Sequence, residues 1–564
     1  MFSYRAKIVL FILLASLFAI HPNQFNLDEN LDGVNIRGES SGWPSRSIVD
    51  LRLNYNNEVY VGTGGGLGKI IISNNEISSY NQFSDANLAL GGTPSIIVEN
   101  YNGASFIALS GVLSDNLGVY GTGISWSFDN GESWQYIEQP IESEIPDCEN
   151  LSCENPLSEE TCECWPATTA CNWNNADQSC TYVGPYTTFE WYGQTATNLR
   201  ISTAYNNISY DISADIENEY IYAASWAGSL RRFKFTDMNP VWEVVPLPMD
   251  YQDSLICEEL PSSYYLDPRD QVGFDNHKVF SVSVQDDIIW AGTANGINKG
   301  YINEDNCIDW FHYTSENNNL AGDWTIGFLE HEVNQNNRIW AITCDLLSDP
   351  HGLSYSDDEG ETWLQVNHFL DVETKVNNLF VSGERLYAPT NNGLYYSDWG
   401  APQLWTKIDI PESIINKIGS EKVQSALVHP SNVVLVGFNQ GLITSSDEDL
   451  NQWQHNILDN PDFKVSMLIY PNPYMIDEET QSVTVKIKTD ESSMGPLTIY
   501  DFSMNKVQDI ICDPSDYNVQ QSSQYCYWDG SALNGSQVLN GVYFCKFKSS
   551  NGYVWDKVII VNTQ

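Results

Sequence analysis

The chain has 564 residues, of which 74 are acidic and 26 are basic, so its formal net charge at pH 7 is −48. A surface this acidic repels nucleic-acid backbones and anionic membranes, which excludes both as partners. The length predicts more than one domain.

The first 20 residues have the pattern of a secretory signal peptide. Arg5 and Lys7 precede an apolar run from Ile8 to Ile20. A membrane span needs about 20 apolar residues, so this run is too short to be one. No later segment has that length, so we expect a secreted protein at the cell exterior with no membrane insertion.

One phrase recurs seven times between residues 42 and 461. It is an apolar, aromatic-rich strand that ends in a small residue, followed by a glycine turn and a second strand. The copies begin at Val59, Phe106, Ile221, Ile288, Arg338, Arg385 and Val433. An alternating run before the phrase and a tryptophan-centred run after it bring the count to four strands per repeat. Repeats of about 40 to 50 residues with four strands are typical of β-propellers. We therefore predict an all-β protein with a seven-bladed β-propeller at residues 42–461.

An insertion at residues 141–190 interrupts the second repeat and is rich in cysteine. Export favours disulfides over a zinc site for its members, which are Cys148, Cys153, Cys162, Cys164, Cys171 and Cys180. The other cysteines form two odd sets, so the sequence implies either pairing between blades or a free thiol. The sets are Cys257, Cys307 and Cys344, and Cys512, Cys526 and Cys545.

Two segments fit the pattern S-x-D-x-G-x-[ST]-W after the third strand of a repeat. They contain Ser127, Asp129, Gly131 and Trp134, and Ser356, Asp358, Gly360 and Trp363. Both resemble the Asp-box, or BNR, turn of sialidase-like, sortilin-like and xyloglucanase-like propellers. In such a turn the aspartate accepts local hydrogen bonds, the glycine takes a positive φ and the tryptophan packs between blades. We interpret these residues as structural rather than catalytic.

Residues 464–564 have a different pattern, with short alternating strands that predict an immunoglobulin-like sandwich. Three motifs occur in order: Pro471, Asn472 and Pro473; Trp528, Asp529 and Gly530; and Gly541, Val542, Tyr543 and Phe544. Together they resemble flagellar hook-cap-type immunoglobulin-like domains and the C-terminal sorting domains of type IX secretion cargo.

The sorting resemblance implies export to the outside of a Gram-negative bacterium, with the secretion machinery as a partner. Ser503, Met504 and Asn505 stand where the family usually has a glycine and a basic residue. This departure affects the sorting prediction more than the fold prediction. A sandwich without sorting function is the alternative.

Alignment of the repeats predicts a ring of mixed side chains at the mouth of the propeller channel. Its members are Arg46, Pro94, His277, Asp323, Trp324, Asn377 and Gln424. Aromatic and amide groups of this kind bind a sugar or a peptide, although they also serve merely to close a channel.

We expect a binding protein for an extracellular polysaccharide, protein or peptide, with no cofactor. Weak Ca²⁺ binding by scattered carboxylates remains open. One alternative is a glycan hydrolase or lyase with an unassigned pair of carboxylates, and another is a structural or adhesion protein. A sialidase is disfavoured because the arginine-containing entry motif of that family is absent.

Overall fold

The computed structural model describes residues 43–115, 118–142, 171–174, 179–182, 186–199, 201, 204–205, 207–261, 264–267, 273–333, 336–344, 351–370, 374–418, 420–446, 450, 452–456, 466–470, 472–476, 482–488, 496–513, 517–518, 523–533, 535–549 and 552–562. The chain divides into two compact units, Met1–Leu458 and Asp459–Gln564. Both are built from β-strands. The expected signal peptide and most of the expected cysteine-rich insertion lie outside the described residues.

Seven sheets of similar strand order form the repeat in the described part of the first unit. Sheet 1 contains β1 (Ile48–Leu53), β2 (Val59–Thr63), β3 (Gly66–Ser73) and β4 (Glu76–Gln82), and sheet 2 contains β5 (Ile96–Tyr101), β6 (Ala104–Asp115), β7 (Gly118–Ser127) and β8 (Gln135–Ile137). Sheet 3 contains β13 (Ser209–Asp215), β14 (Tyr220–Ser225), β15 (Ser229–Lys234) and β16 (Glu243–Val244). Sheet 4 contains β19 (Val279–Gln285), β20 (Ile288–Thr293), β21 (Gly296–Ile302) and β22 (Ile308–Tyr313), with β17 (Ser254–Leu255) added to β22.

The remaining three sheets continue the same order. Sheet 5 contains β23 (Trp324–Val333), β24 (Asn336–Cys344), β25 (His351–Ser356) and β26 (Leu364–Gln365). Sheet 6 contains β27 (Phe380–Ser382), β28 (Arg385–Thr390), β29 (Gly393–Asp398) and β30 (Thr406–Lys407), and sheet 7 contains β31 (Val423–Val428), β32 (Val434–Phe438), β33 (Gly441–Ser445) and β34 (Trp453–Asn456). Short helices, α1 (Ser315–Asn318) and α2 (Glu412–Ile418), lie between sheets.

Each recurring phrase of the sequence forms the second and third strands of one sheet. Neighbouring strands within the seven sheets are antiparallel, as short turns between them require. The glycine of the phrase is needed where the turn closes: Gly296 has φ +96°, and a Cβ there would lie 2.0 Å from the carbonyl oxygen of Tyr313.

The first strands of five sheets contain a register shift at the same place. The residue that the shift leaves without a partner is Val49, Tyr210, Phe280, Ile326 or Gln424. A β-bulge of this kind bends a strand and redirects one side chain. The first strand of each of these sheets therefore turns one extra side chain away from its ladder.

Sheets 1 and 7 adjoin, so the first and last repeats of the unit are in contact. A Cβ on Gly437 of sheet 7 would lie 2.5 Å from Ile48 Cγ2 of sheet 1. The Ser47 hydroxyl donates to Asn439 Oδ1 over 3.1 Å, and the His429 Nε2 atom lies 2.9 Å from the Asn57 carbonyl oxygen. The first unit is therefore all-β and propeller-like.

Two turns, in sheets 2 and 5, share the same hydrogen bonds. Ser127 Oγ donates to Asp129 Oδ1 over 2.7 Å, and the backbone nitrogen and hydroxyl of Ser133 donate to the same carboxylate over 2.9 and 2.6 Å. The second turn repeats these bonds at 2.7, 2.8 and 2.6 Å with Ser356, Asp358 and Thr362. The two aspartates thus hold their own turns.

The glycine of each turn packs against the preceding sheet. Gly131 has φ +85°, and a Cβ there would lie 2.5 Å from Phe83, which follows β4. Gly360 has φ +88°, and its Cβ would lie 2.6 Å from Trp290 of β20. The tryptophans that end the two turns, Trp134 and Trp363, contact the same rings, with centroid distances of 5.8 and 6.0 Å.

In the sequence between sheets 2 and 4, further strands do not belong to the repeat. The hairpin of β9 (Cys171–Asn174) and β10 (Ser179–Tyr182) carries two of the six clustered cysteines, whose side chains lie outside the described residues, as do the other four. A three-stranded sheet follows, made of β11 (Tyr186–Trp191), β12 (Gln194–Leu199) and β18 (Tyr265–Leu266). A buried disulfide joins Cys257 to Cys307.

The second unit has two sheets that contribute to one hydrophobic core. The first has the order β35 (Ser466–Tyr470), β37 (Val483–Lys488), β41 (Ser523–Trp528), β40 (Tyr517–Asn518). The second has the order β36 (Tyr474–Ile476), β43 (Gly552–Asn562), β42 (Gly541–Ser549), β38 (Pro496–Tyr500), β39 (Lys506–Ile511). Cys512 and Cys526 form a disulfide, and Cys545 is a buried free thiol, so the free-thiol alternative is realised here.

The sequence motifs of the second unit meet in its core and at its edge. The rings of Trp528 and Tyr543 are in edge contact at 5.6 Å, and the Tyr543 hydroxyl donates to the Leu539 carbonyl oxygen over 2.8 Å. Asn472 bonds along β43 as a strand would, because its amide donates to Lys557 O over 2.9 Å and accepts from Ile559 N over 3.0 Å. These residues therefore have structural roles.

Across the described ranges, no helix has both the length and the apolar character needed to cross a membrane.

Candidate functional site

The seven repeat sheets of the first unit all contribute residues to one cavity of about 100 Å³. Each sheet contributes a lining residue that lies on its first strand or up to three residues before it. These residues are Val49, Pro94, Tyr210, Phe280, Ile326, Asn377 and Gln424. Five of these seven are the bulged residues described above. The bulges therefore build the cavity wall, because each redirects one side chain out of its ladder.

Asp211 is the carboxylate that ties three sheets together beside the cavity. Its Oδ1 atom accepts from the Ser95 hydroxyl of sheet 2 over 2.8 Å and from the backbone nitrogen of Ile212 over 3.0 Å. Its Oδ2 atom accepts from the backbone nitrogen of Val282, in sheet 4, over 3.0 Å. The first strand of a sheet has unpaired N–H groups on its outer edge, and Asp211 satisfies one of them.

Burial raises the pKa of Asp211 from 3.8 to about 6, and hydrogen bonds from Val282 and Ser95 oppose the rise. Desolvation therefore outweighs hydrogen bonding at this carboxyl. The nearest lining charges are Asp50 and Arg52, whose Oδ2 and Nε atoms are 3.0 Å apart. Asp50 Oδ1 accepts from the Leu51 backbone nitrogen over 2.9 Å, so both its oxygens are bonded.

An aromatic cluster of Trp226, Phe280 and Trp324 extends from the cavity wall. Phe280 is buried and lies 5.0 Å from Trp324 and 5.4 Å from Trp226 between ring centroids, and the two indoles are 5.6 Å apart. Both tryptophans are half-buried. The Lys278 ammonium lies 5.6 Å from the Trp226 ring and is bonded to Asp275. The cluster thus presents two partly open indoles where the cavity meets the adjoining loops.

The predicted ring of site residues separates into two groups. Pro94, Asn377 and Gln424 line the cavity. Asn377 Nδ2 donates to the Val423 carbonyl oxygen over 2.7 Å, and Gln424 Nε2 donates to Asn439 Oδ1 over 3.2 Å, so both amides also join strands and loops of sheets 6 and 7.

The other four predicted residues do not line that cavity. Arg46 and Trp324 are half-buried, and Trp324 reaches the site through Phe280. Asp323 accepts from the Ser315 backbone nitrogen over 2.7 Å and so fixes the start of α1.

His277 requires a correction because it does not line the cavity and its side chain is fully buried. Its Nε2 atom lies 2.8 Å from the Tyr264 hydroxyl and 3.2 Å from the Leu247 carbonyl oxygen. Burial lowers the pKa of His277 to about 4, so the ring is neutral at pH 7. His277 is a core residue of this region.

Asp50, Arg52, Asp211, Tyr210 and Trp226 are lining or cluster residues that the repeat alignment misses. Trp226 has a signal in the sequence: it occupies a turn between the second and third strands where four other copies have Gly64, Ala294, Asn391 and Asn439. The bulged positions have no comparable signal. Among the described residues, no group of three or more His, Cys, Asp or Glu side chains is arranged to hold a metal ion.

Three solved structures are similar to this chain at low TM-scores. PorZ, described as an essential bacterial surface component of the type-IX secretion system of Porphyromonas gingivalis, has a TM-score of 0.32 at 12% identity, over 92% of this chain and 82% of that chain. The β-propeller domain of Myceliophteria thermophila Cps50 (Swd1) has a TM-score of 0.39 at 12% identity, over 72% of this chain and 97% of that one.

The extracellular domain of BT4673, a putative one component system of B. thetaiotaomicron, has a TM-score of 0.29 at 11% identity, over 92% of this chain and 68% of that one. No protein-family model matches the chain, and no curated protein matches it.

Proposed function

We propose that this chain is an exported binding protein that recognises an extracellular glycan at the aromatic cluster. In this proposal the first unit is a seven-bladed β-propeller and the second is an immunoglobulin-like domain that directs export by a type IX-like route. A protein or peptide ligand at the same place is the second possibility. The observation that carries the proposal is the pair of half-buried tryptophans, Trp226 and Trp324, beside the cavity.

Aromatic rings suit a saccharide because the apolar face of a pyranose packs against them while its hydroxyl groups bond to neighbouring polar side chains. The cavity volume of about 100 Å³ is small beside the roughly 300 to 1,000 Å³ of typical ligand pockets. One small polar group therefore enters the cavity, and the body of the ligand rests on the indoles. Asn377 and Gln424 supply polar groups within the cavity.

Export is supported by chemistry that belongs to an oxidising compartment. Cys257 with Cys307, and Cys512 with Cys526, form disulfides in separate units. Disulfides persist outside the cytosol and are rare within it. The N-terminal apolar run and the C-terminal motifs fit the same location.

Binding is favoured over glycan cleavage by what the channel carboxylates already do. Asp211 accepts three hydrogen bonds from two strands and Ser95, and Asp50 is bonded to Arg52 and to Leu51. Hydrolysis needs one carboxyl to protonate the leaving oxygen and another to act on water or on the sugar. Asp211 is committed to joining strands and Asp50 to an ion pair on its own strand, so both carboxylates are poorly placed for that exchange.

Affinity electrophoresis of the full chain through a panel of soluble polysaccharides, with an assay for new reducing ends, tests this proposal. We expect retardation by at least one polysaccharide without cleavage. Trp324→Ala and Trp226→Ala should each weaken binding about fivefold, because stacking on one ring contributes on the order of 1 kcal/mol. Trp399→Ala is the matched control, since Trp399 is also half-buried but stacks on His331.

New reducing ends would identify an enzyme and contradict the proposal. Equal losses in all three tryptophan variants would indicate a general effect on the fold, which thermal unfolding of each variant would reveal. If no polysaccharide is retained, the same variants are tested against peptide ligands, and the glycan assignment fails.

A further inference from the structure

The outer face of the second sheet of the C-terminal unit combines lysines with exposed aromatic rings. We call it the lysine–aromatic face and define it by Lys546, Lys548, Lys557, Tyr553 and Trp555. On the neighbouring strands β42 and β43, Lys546 pairs with Trp555 and Lys548 pairs with Tyr553. Lys557 is two residues beyond Trp555 and so points to the same side. The face therefore alternates cations and rings across two strands.

The rings of this face are open to solvent and held in place. Tyr553 is 60% exposed and Trp555 is 44% exposed. The Lys546 ammonium lies 3.9 Å from the Tyr553 ring centroid and 5.0 Å from that of Trp555, and Tyr500 packs beside Trp555 at 5.6 Å. Exposed rings grouped in this way are typical of binding surfaces.

The three lysines make this face positively charged, whereas the chain as a whole has a formal net charge of −48. The carboxylate in the same cross-strand row as Lys546 and Trp555 is Asp509, and its charge is already paired with Lys506 over 2.8 Å. Within the described residues, no carboxylate forms an ion pair with the three lysines of the face. These cations are therefore available to an anionic partner.

We propose that the lysine–aromatic face binds an acidic polysaccharide, independently of the aromatic cluster in the first unit. An acidic polysaccharide alternates negative groups with apolar ring faces, and the surface alternates ammonium groups with aromatic rings. Double-stranded nucleic acid carries about one charge per 1.7 Å of its axis, which is denser than one carboxylate per sugar ring, so the acidic chain repels it more strongly than an acidic polysaccharide. An acidic polypeptide lacks the rigid apolar rings that would cover Tyr553 and Trp555.

The test uses the full chain and three polymers: polygalacturonate, neutral dextran and polyglutamate. We expect binding to polygalacturonate that weakens as salt is raised, with little binding to dextran or polyglutamate. The combined Lys546→Gln, Lys548→Gln and Lys557→Gln variant should bind polygalacturonate about tenfold more weakly, as the loss of three exposed ion pairs predicts. Lys486→Gln is the matched control, because Lys486 also lies over a tyrosine, Tyr525 at 6.0 Å, but on the other sheet.

Equal binding to polyglutamate would mean that charge alone attracts the polymer and would overturn the saccharide assignment. Unchanged binding in the triple variant, or an equal loss in the Lys486→Gln variant, would overturn the location. Thermal unfolding of each variant shows whether weaker binding comes from the changed face or from a destabilised fold. Trp324→Ala should leave this binding unchanged, so failure here and failure at the aromatic cluster are distinguishable.

Discussion

At the scale of single residues, Arg232 shows how a buried charge organises its neighbourhood. Its side chain is 2% exposed, and its guanidinium bonds to Glu243 over 2.8 Å and to the Asn306 carbonyl oxygen over 2.6 Å. The same group lies 4.9 Å from the Trp191 ring and 4.5 Å from the Tyr220 ring. One arginine thus joins the third sheet to the strands and loops that flank it.

We predict that Arg232→Ala lowers the free energy of unfolding by about 3 kcal/mol, because it removes a buried, multiply bonded charge. Arg232→Lys should recover only part of this loss of stability, since an ammonium group cannot reproduce the planar array of donors in a guanidinium. Chemical denaturation measures both. Arg385→Ala is the control: Arg385 also faces a ring, Tyr396 at 4.9 Å, and Asp398 at 3.7 Å, but 47% of its side chain is exposed. If the two alanine variants lose equal stability, burial is not the cause.

The raised pKa of Asp211 predicts how the stability of the protein changes with pH. Its pKa is raised from 3.8 to about 6 in the folded chain, so the folded state binds the proton more tightly than the unfolded state. Stability from this group is therefore greatest below pH 4 and is lost as the pH rises from about 4 to about 6. The free energy of unfolding of the parent protein, relative to Asp211→Asn, should increase as the pH falls through that range.

Asp129 is a control of opposite sign for that experiment. Slight burial opposes its ionisation, but hydrogen bonds from Ser133 and Ser127 hold its pKa below 3.8. The stabilisation it provides is present above its unfolded pKa and is lost as the pH falls through its folded pKa. The parent protein should therefore lose its advantage over Asp129→Asn below about pH 4. The same trend in both variants would contradict the account of Asp211.

At the scale of elements, the two matching turns connect adjacent sheets through packing of their glycines and tryptophans. We predict that Asp129→Ala lowers the free energy of unfolding by about 1 to 2 kcal/mol, since several hydrogen bonds within the turn are lost. Ligand binding at the aromatic cluster should be unchanged. Glu132→Ala, an exposed position in the same turn, is the control and should change stability by less than about 0.5 kcal/mol. A loss of binding in Asp129→Ala with unchanged stability would indicate a functional carboxylate instead.

The sequence predicts the strands of the repeat better than the positions that face the cavity. The phrases beginning at Val59 and Ile288 contain local signals, an apolar strand and a glycine turn, and they form β2 with β3 and β20 with β21. The cavity positions depend on a bulge in the first strand, which adds one residue without a composition signal. The spacing of the repeat therefore predicts His277 at the cavity, where the structure has Phe280, three residues later.

At the scale of the whole molecule, the fold brings together residues that are far apart in the sequence. Val49 and Gln424 line the same cavity because sheets 1 and 7 adjoin. Trp226 and Trp324 belong to different sheets, yet their rings are 5.6 Å apart and both pack on Phe280 of a third sheet. No local pattern predicts such a cluster, since contacts between sheets depend on the closure of the whole unit.

The most direct test of the proposed function is a crystal structure of the full chain with a bound oligosaccharide from a polysaccharide that it retains. We predict a sugar ring against Trp226 and Trp324, with one polar group entering the cavity near Asn377 and Gln424. A ligand bound elsewhere on the first unit, with the two indoles uncovered, would contradict the assignment of the aromatic cluster.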